Sequence, residues 1–162
     1  MEYATDQRVV VTGLGIVSAA GCDIDSMLDK LRANHHCLQP ITSFDISGMK
    51  MTHAGEIPQF DPLSVVSPAR VSSIDRGSQL ALVAAQQALA QAAGEYPLQF
   101  EYTGVAIGLS GATQYQNMPV TPQRDFLISR QVALTFARAT PHFQADLLAR
   151  NFSLGGPRFA FG

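Results

Sequence analysis

The chain has 162 residues, of which 46% are apolar and 15% charged, and its 11 Lys and Arg against 13 Asp and Glu leave a net charge of −2. A domain of about 150 residues buries roughly two-thirds of its unfolded surface, so this composition excludes intrinsic disorder and predicts one folded domain. No basic run would neutralise nucleic-acid phosphates, and no apolar stretch reaches the roughly 20 residues that cross a bilayer. Residues 1–7 lack the pattern of a secretory signal. We therefore expect a soluble cytoplasmic protein whose partners include neither nucleic acid nor membrane.

The first elements follow from the apolar pattern. Arg8–Val17 is a β-branched run leading into two glycines, which predicts a buried strand and a tight turn. Asp23 can cap a helix whose apolar residues recur at helical spacing up to about Ala33. Residues 34–73 contain prolines and short apolar fragments without a clear period. We expect this excursion to wrap a surface or to build part of a site.

The next elements alternate between helix and strand. An Ala-rich helix begins at Ser73 or Asp75, is apolar on more than one face and ends at Gly94, which predicts burial between layers. Gly104–Gly108 predicts a second buried strand. The small residues at 109–112 then form a turn that permits close approach of backbone or ligand.

The last elements are two helices and a strand. Asp125–Ala139 and Pro141–Phe152 predict helices, the second with proline at its favoured first-turn position, and Leu154–Pro157 ends it. Arg158–Gly162 has the composition of a third strand. A natural C-terminus is usually a polar tail, so we expect the folded unit to continue in another polypeptide or in a missing segment.

Gly13–Ser18 half resembles the G-x-G-x-x-G fingerprint of dinucleotide-binding proteins. That fingerprint requires a helix to open at the glycines, so that its amides meet the pyrophosphate, whereas the helix predicted here begins only at Asp23. Glycines that allow a close strand-to-loop turn are the favoured interpretation. A nucleotide-binding oxidoreductase is the weaker alternative.

The titratable residues predict no metal site and no acid–base pair. His35–Cys37 places three ligand types side by side, but adjacent residues rarely converge on one ion, so an exposed loop is expected. Cys22 and Cys37 match no zinc spacing and are expected to be free thiols. Glu56 and Asp61 flank a turn and are expected to be solvated. We therefore expect neither a metal nor a cofactor.

Several segments, taken in order, resemble the N-terminal half of the β-ketoacyl-acyl carrier protein synthases, the condensing enzymes of fatty acid and polyketide assembly. They are VVVTGLGIVSAAG at Val9–Gly21, ITSFDISG and HAGEI within Ile41–Ile57, Asp75-Arg76 at a helix start, GVAIGLSG at Gly104–Gly111 and LGGP at Leu154–Pro157. The resemblance implies an α/β thiolase fold, in which two similar halves build a five-layered α-β-α-β-α sandwich. Residues 1–162 would be its N-terminal half, ending just before the nucleophile elbow.

The resemblance also implies where the chemistry lies. In this family the Gly-Pro is followed by a strand and by an elbow that carries the nucleophilic cysteine. Aligning Gly156-Pro157 with that motif places the cysteine just beyond Gly162, and the two catalytic histidines lie in the second half. No catalytic residue is therefore expected in this chain, and His53 and His142 are not assigned to those roles.

Other residues resemble positions of the family's acyl pocket and dimer interface, with a plain packing role as the alternative. The turn that lines the acyl tunnel and the stretch that reaches the neighbouring subunit correspond to Ser110, Gly111, Thr135 and Phe136. The implied partners are a complementary C-terminal half chain, a ketosynthase-family dimer mate and acyl carrier protein.

The chain departs from the family pattern at several places. Ala19 replaces the usual proline, residues 141–146 replace an Asn-Met-x-x-Gly pattern, and bulky Phe159 and Phe161 precede the elbow. A non-catalytic chain-length factor, which pairs with an active ketosynthase, is therefore the alternative function. Because half a subunit leaves interface surface uncovered, the isolated chain is expected to be poorly soluble or aggregation-prone.

Overall fold

The computed structural model describes residues 9–57, 60–95, 98–110 and 140–162. Its helices and strands, in chain order, are α1 (Ile24–Arg32), β1 (Gln39–Pro40), β2 (His53–Ala54), a 3-10 helix (Pro62–Ser64), α2 (Pro68–Val71), α3 (Arg76–Glu95), β3 (Val105–Gly108), α4 (Pro141–Asn151) and β4 (Arg158–Phe161). The predicted helix over 125–139 lies outside the described residues. Where composition predicts one domain, the contacts divide the chain into two compact units: Met1–Phe60 with Val83–Pro97, and Asp61–Leu82 with Leu98–Gly162.

The predicted strand over Arg8–Val17 is wrong for the residues described. No strand forms between positions 9 and 17, and the first three valines are exposed. The backbone N–H groups of Leu14 and Ile16 donate instead to the side-chain oxygens of Gln91 and Gln87 on α3, at 2.8 and 2.9 Å. A strand needs a neighbouring strand to form hydrogen bonds with its N–H and C=O groups. Here the side chains of a helix accept the hydrogen bonds of two of those N–H groups instead.

Gly13 and Gly15 let this segment lie directly on α3. A Cβ on Gly13 would collide with the carbonyl oxygen of Ala88, and one on Gly15 with that of Ala84. The glycines and the alanines therefore serve the same purpose, since both allow the two backbones to approach. Gln87 also donates its side-chain N–H to the carbonyl of Cys22 at 2.6 Å, which ties the following loop to the same helix.

The prediction for α1 is confirmed at both ends. The Asp23 carboxylate accepts the Ser26 backbone N–H at 2.8 Å, and hydrogen bonds from Ser26 lower the pKa of Asp23. The helix ends at Ala33 because Asn34 adopts a left-handed φ of 51°, and the His35 N–H closes the turn on the Lys30 carbonyl at 2.9 Å. Leu31 remains exposed.

The second unit contains a core of apolar side chains. Asp75 begins α3, as predicted, by accepting the Ser78 backbone N–H at 2.9 Å, but the helix runs through Gly94 to Glu95. Pro141 occupies the first turn of α4, also as predicted. The buried apolar residues of this unit are Val66, Ile74, Leu82, Val105, Ala145, Leu147, Leu148, Ala149 and Leu154.

The strands predicted near Gly104–Gly108 and Arg158–Gly162 are confirmed as β3 and β4, which pair in parallel with Val105 opposite Arg158 and Gly108 opposite Phe161. α4 packs on both strands, as a crossover between parallel strands does. The expected burial of β3 holds only for Val105, because Ala106 and Gly108 are exposed in the described structure.

Candidate functional site

The carboxyl ends of β3 and β4 lie side by side. Beyond the last paired residues, the Leu109 backbone N–H donates to the Phe161 carbonyl at 2.8 Å. Ser110 follows immediately and is exposed. The chain therefore leaves both strands at one edge of the sheet, and in α/β folds this edge is where loops build binding and catalytic sites.

The Leu154–Pro157 motif sets the register of these strands. The Gly155 N–H donates to the Phe100 carbonyl at 2.8 Å, and the Gly156 N–H donates to the Thr103 carbonyl at 3.0 Å. A Cβ on Gly155 would stand 2.6 Å from the Glu101 carbonyl oxygen, and one on Gly156 would stand 2.6 Å from the Gly104 nitrogen. Only glycine, which has no side chain, allows this contact. The Pro157 carbonyl then accepts the Val105 N–H at 2.8 Å, which is the first hydrogen bond between the two strands.

An ion pair joins α4 to β4 beside this motif. Arg158 Nη1 lies 2.7 Å from Asp146 Oδ1, and both side chains are partly exposed. The two residues are twelve positions apart, so no helical or strand periodicity in the sequence predicts that they meet. This pair fixes the first residue of β4 to the helix that packs on it.

A carboxylate joins two of the motifs in the other unit. Glu56 accepts the backbone N–H of Thr42 at 3.1 Å, that of Ser43 at 3.0 Å, and both hydroxyls. The Ser43 hydroxyl, then the Thr42 hydroxyl, then the Ser43 amide lower the pKa of Glu56 to about 2. Sequence reasoning missed this role of Glu56, whose partly exposed carboxylate fastens HAGEI to ITSFD, next to the β1–β2 pair, in which Gln39 lies opposite Ala54.

The sequence profile of one family, described as "Beta-ketoacyl synthase, N-terminal domain", matches residues 6–161. The chain belongs to this family. The predicted resemblance is thereby confirmed, and it covers both units of the structure.

Two curated relatives are each similar to about half of this chain. The tetracenomycin polyketide synthase ketoacyl synthase alpha subunit of Streptomyces glaucescens is 37% identical over 90 residues, which are 55% of this chain and 21% of that protein. The 3-oxoacyl-[acyl-carrier-protein] synthase 2 of Coxiella burnetii (strain RSA 493 / Nine Mile phase I) is 38% identical over 82 residues, 51% of this chain and 20% of that protein.

A solved structure confirms the fold class. The ishigamide ketosynthase/chain length factor superposes with a TM-score of 0.68 and 20% sequence identity, over 94% of this chain and 38% of the solved chain. The predicted α/β fold, the N-terminal half of a thiolase-like sandwich, is therefore confirmed. The chain spans less than half the length of the proteins it matches.

The structure does not support the weaker alternative, a dinucleotide site at Gly13–Ser18. No helix begins at these glycines in the described structure, since α1 begins at Ile24. Gly13 and Gly15 face the backbone of α3 instead. The pyrophosphate of a dinucleotide would need the helix N-terminus that is missing here.

The structure describes some of the residues that the sequence suggested as functional, but not all of them. Of the acyl-pocket and interface candidates, Ser110 lies at the carboxyl edge of β3, and Gly111, Thr135 and Phe136 lie outside the described residues. His53 Nδ1 is 2.9 Å from the Thr52 hydroxyl. Cys22 and Cys37 are half-buried.

In the ranges that the structure describes, no three His, Cys, Asp or Glu side chains are grouped to hold a metal. Across the same ranges, no helix combines the length and the apolar character needed to cross a membrane.

Proposed function

We propose that the chain is the N-terminal half of a β-ketoacyl-acyl carrier protein synthase subunit, which catalyses decarboxylative condensation in fatty acid or polyketide biosynthesis. The observation that carries this proposal is the parallel register of β3 and β4, held by the glycines of Leu154–Pro157. It brings the Ser110 turn next to the chain that leaves β4 after Phe161. In the complete subunit the nucleophilic cysteine would follow Gly162 on the elbow after β4.

The proposed reaction proceeds by covalent catalysis. The cysteine thiolate attacks the thioester carbonyl of an acyl chain on acyl carrier protein and expels the carrier thiol. Malonyl-carrier protein then loses carbon dioxide, and its carbanion attacks the acyl-cysteine carbonyl. The cysteine leaves as thiolate, and the product is a 3-oxoacyl chain longer by two carbons. Two histidines of the C-terminal half would stabilise the charge that develops on the malonyl thioester.

This chain would contribute the acyl pocket and the subunit contacts. Ser110 and Gly111 would line the acyl tunnel in the turn after β3, and the lack of a side chain on Gly111 would leave room for a long or rigid acyl chain. Thr135 and Phe136 would reach the tunnel of the dimer mate. The partners of the assembly would be a complementary C-terminal half, a ketosynthase-family subunit and acyl carrier protein, in the cytoplasm.

The exposed apolar side chains of the described residues support this assembly. Large apolar side chains are exposed at Val9, Val10, Val11, Phe159 and Phe161, among others. Surfaces of this kind are usually covered by another chain or domain. The poor solubility of the isolated chain stays a prediction.

The test uses the complete subunit, in which this chain is followed by its C-terminal half. We expect mass spectrometry to detect an acyl group on the elbow cysteine after incubation with acyl-carrier protein. Ser110→Phe should shorten the acyl chains accepted, whereas Ser72→Phe, on an exposed serine at the end of α2, should not. Failure of acylation in a folded, dimeric assembly would exclude catalysis by this subunit.

A chain-length factor is the second candidate. The ion pair between Asp146 and Arg158 favours it, because Asp146 stands where the family resemblance implies a glycine, and its carboxylate adds a contact from the last helix to β4. A residue other than cysteine at the elbow, in a subunit that activates an intact ketosynthase, would support this candidate over the first.

A further inference from the structure

A cleft on the unit formed by Asp61–Leu82 and Leu98–Gly162 has no role in the proposed condensation. It lies between the α2–α3 junction and α4, has a volume of about 290 Å³, and is here named the arginine cleft. Its lining residues are Arg70, Ser73, Ile74, Phe143, Asp146, Leu147 and Arg150. None of them is assigned to the acyl tunnel or to the elbow.

The floor of the arginine cleft is apolar. Ile74 is 7% exposed and Leu147 is 6% exposed, so both belong to the core of this unit and present only a small apolar surface. Phe143, half-buried in the first turn of α4, adds an aromatic ring. An apolar chain placed on this floor would remove surface from water at roughly 25 cal/mol per Å².

The rim of the cleft carries positive charge from two arginines. Arg70 and Arg150 are exposed, and neither forms an ion pair with any residue in the described ranges. The carboxylate in the lining, Asp146, is already neutralised by Arg158 at 2.7 Å. The Ser73 hydroxyl donates to the Arg70 carbonyl at 2.7 Å, which closes the turn between α2 and α3 beside the rim.

We propose that the arginine cleft binds a small amphipathic carboxylate, with its carboxyl group between Arg70 and Arg150 and its apolar chain on Ile74 and Leu147. Guanidinium groups bind carboxylates through charge-assisted hydrogen bonds, often in pairs. At about 30 Å³ per water-sized group, the cleft holds about ten heavy atoms, which is the size of octanoate. The cleft therefore has room for a small molecule of this size.

The test uses the complete subunit, in which this chain is followed by its C-terminal half, with octanoate as the probe, measured by chemical-shift perturbation and calorimetry. We expect saturable binding that perturbs the amides of residues 70–74 and 143–150. Arg70→Gln and Arg150→Gln should each weaken octanoate binding by about fivefold to tenfold. The control is Arg32→Gln, because Arg32 lies on α1 beside Asp29 at 3.5 Å and should leave the affinity unchanged.

Two ligand controls separate the contributions of charge and apolar chain. Butyrate should bind more weakly than octanoate because it covers less of the floor, and 1-octanol should bind more weakly because it carries no charge. Equal binding of octanol and octanoate would overturn the proposal, as would equal loss in the Arg32→Gln control. Arginine-dependent binding of an acidic peptide without binding of octanoate would also overturn it and assign the cleft to a protein partner.

Discussion

Gly156 lies so close to Thr103 that a Cβ on the glycine would stand 2.6 Å from the carbonyl carbon of Thr103, while the Gly156 N–H donates to the same carbonyl at 3.0 Å. The contact joins the turn after α4 to the start of β3. It therefore aligns two strands that are distant in the sequence before their ladder begins.

We expect Gly156→Ala to destabilise the β3–β4 pair by about 1–3 kcal/mol, because the neighbouring atoms are backbone and cannot move without shifting the strands. Hydrogen exchange of the Val105 and Leu109 amides, which donate across the pair, measures the effect. The matched control is Gly94→Ala in the last turn of α3, where a Cβ meets nothing within 4 Å. Alanine there should stabilise the helix by about 0.5–1 kcal/mol. Equal protection of both amides in Gly156→Ala and in the unchanged chain would contradict this account.

Gln87 and Gln91 of α3 allow a prediction in which each variant is the control for the other. Gln87→Leu should speed hydrogen exchange at the Ile16 amide, because its acceptor is lost, and should leave the Leu14 amide protected. Gln91→Leu should do the reverse. Exchange that rises equally at both amides in either variant would mean that the segment is held by its glycines rather than by individual side-chain acceptors.

Ser153 occupies a left-handed conformation, with φ of 56°, at the end of α4. L-residues pay about 1 kcal/mol for this conformation and glycine does not, so Ser153→Gly should raise the free energy of unfolding by about 0.5–1 kcal/mol. Asn34→Gly, with φ of 51°, should gain less because asparagine tolerates the conformation better. Ser72→Gly is the control: its φ of −70° is ordinary, so added backbone freedom should lower stability. The midpoint of urea unfolding should rank the three variants in this order, and a lower midpoint for Ser153→Gly would refute the strain argument.

Local signals were sufficient for the helix starts. The Asp23 and Asp75 caps each involve a residue three positions away, and the proline at the start of α4 acts within its own turn. Strands β3 and β4 were also predictable as apolar runs. Neither run, however, indicates which strand it pairs with.

Long-range partners explain the failures. The run of valines at the start of the chain has strand composition, but a ladder depends on a neighbour that composition does not specify. The glycines that suggested a turn accommodate α3 instead. Glu56 and Asp146 find their partners thirteen or fourteen and twelve positions away, respectively, beyond the reach of any periodicity. The sequence did contain one signal for the Glu56 contact. Thr42 and Ser43 in ITSFD offer two hydroxyls and two amides that need an acceptor.

Acid should release the Glu56 contact between ITSFD and HAGEI. The pKa of Glu56 is about 2 in the fold, below its ordinary value of 4.5, because the Ser43 and Thr42 hydroxyls and amides favour the charged form. Its stabilising contribution is therefore complete above pH 4.5 and is lost as the pH falls from 4.5 through 2. We expect the Thr42 and Ser43 amide chemical shifts to titrate with a midpoint near 2, and Glu56→Gln to abolish that transition while loosening both amides at neutral pH. Asp29→Asn, which removes an exposed carboxylate on α1, should leave the transition in place. A midpoint near 4.5 at both amides would show that the carboxylate gains nothing from its donors and that the two segments are held together by the β1–β2 pairing alone.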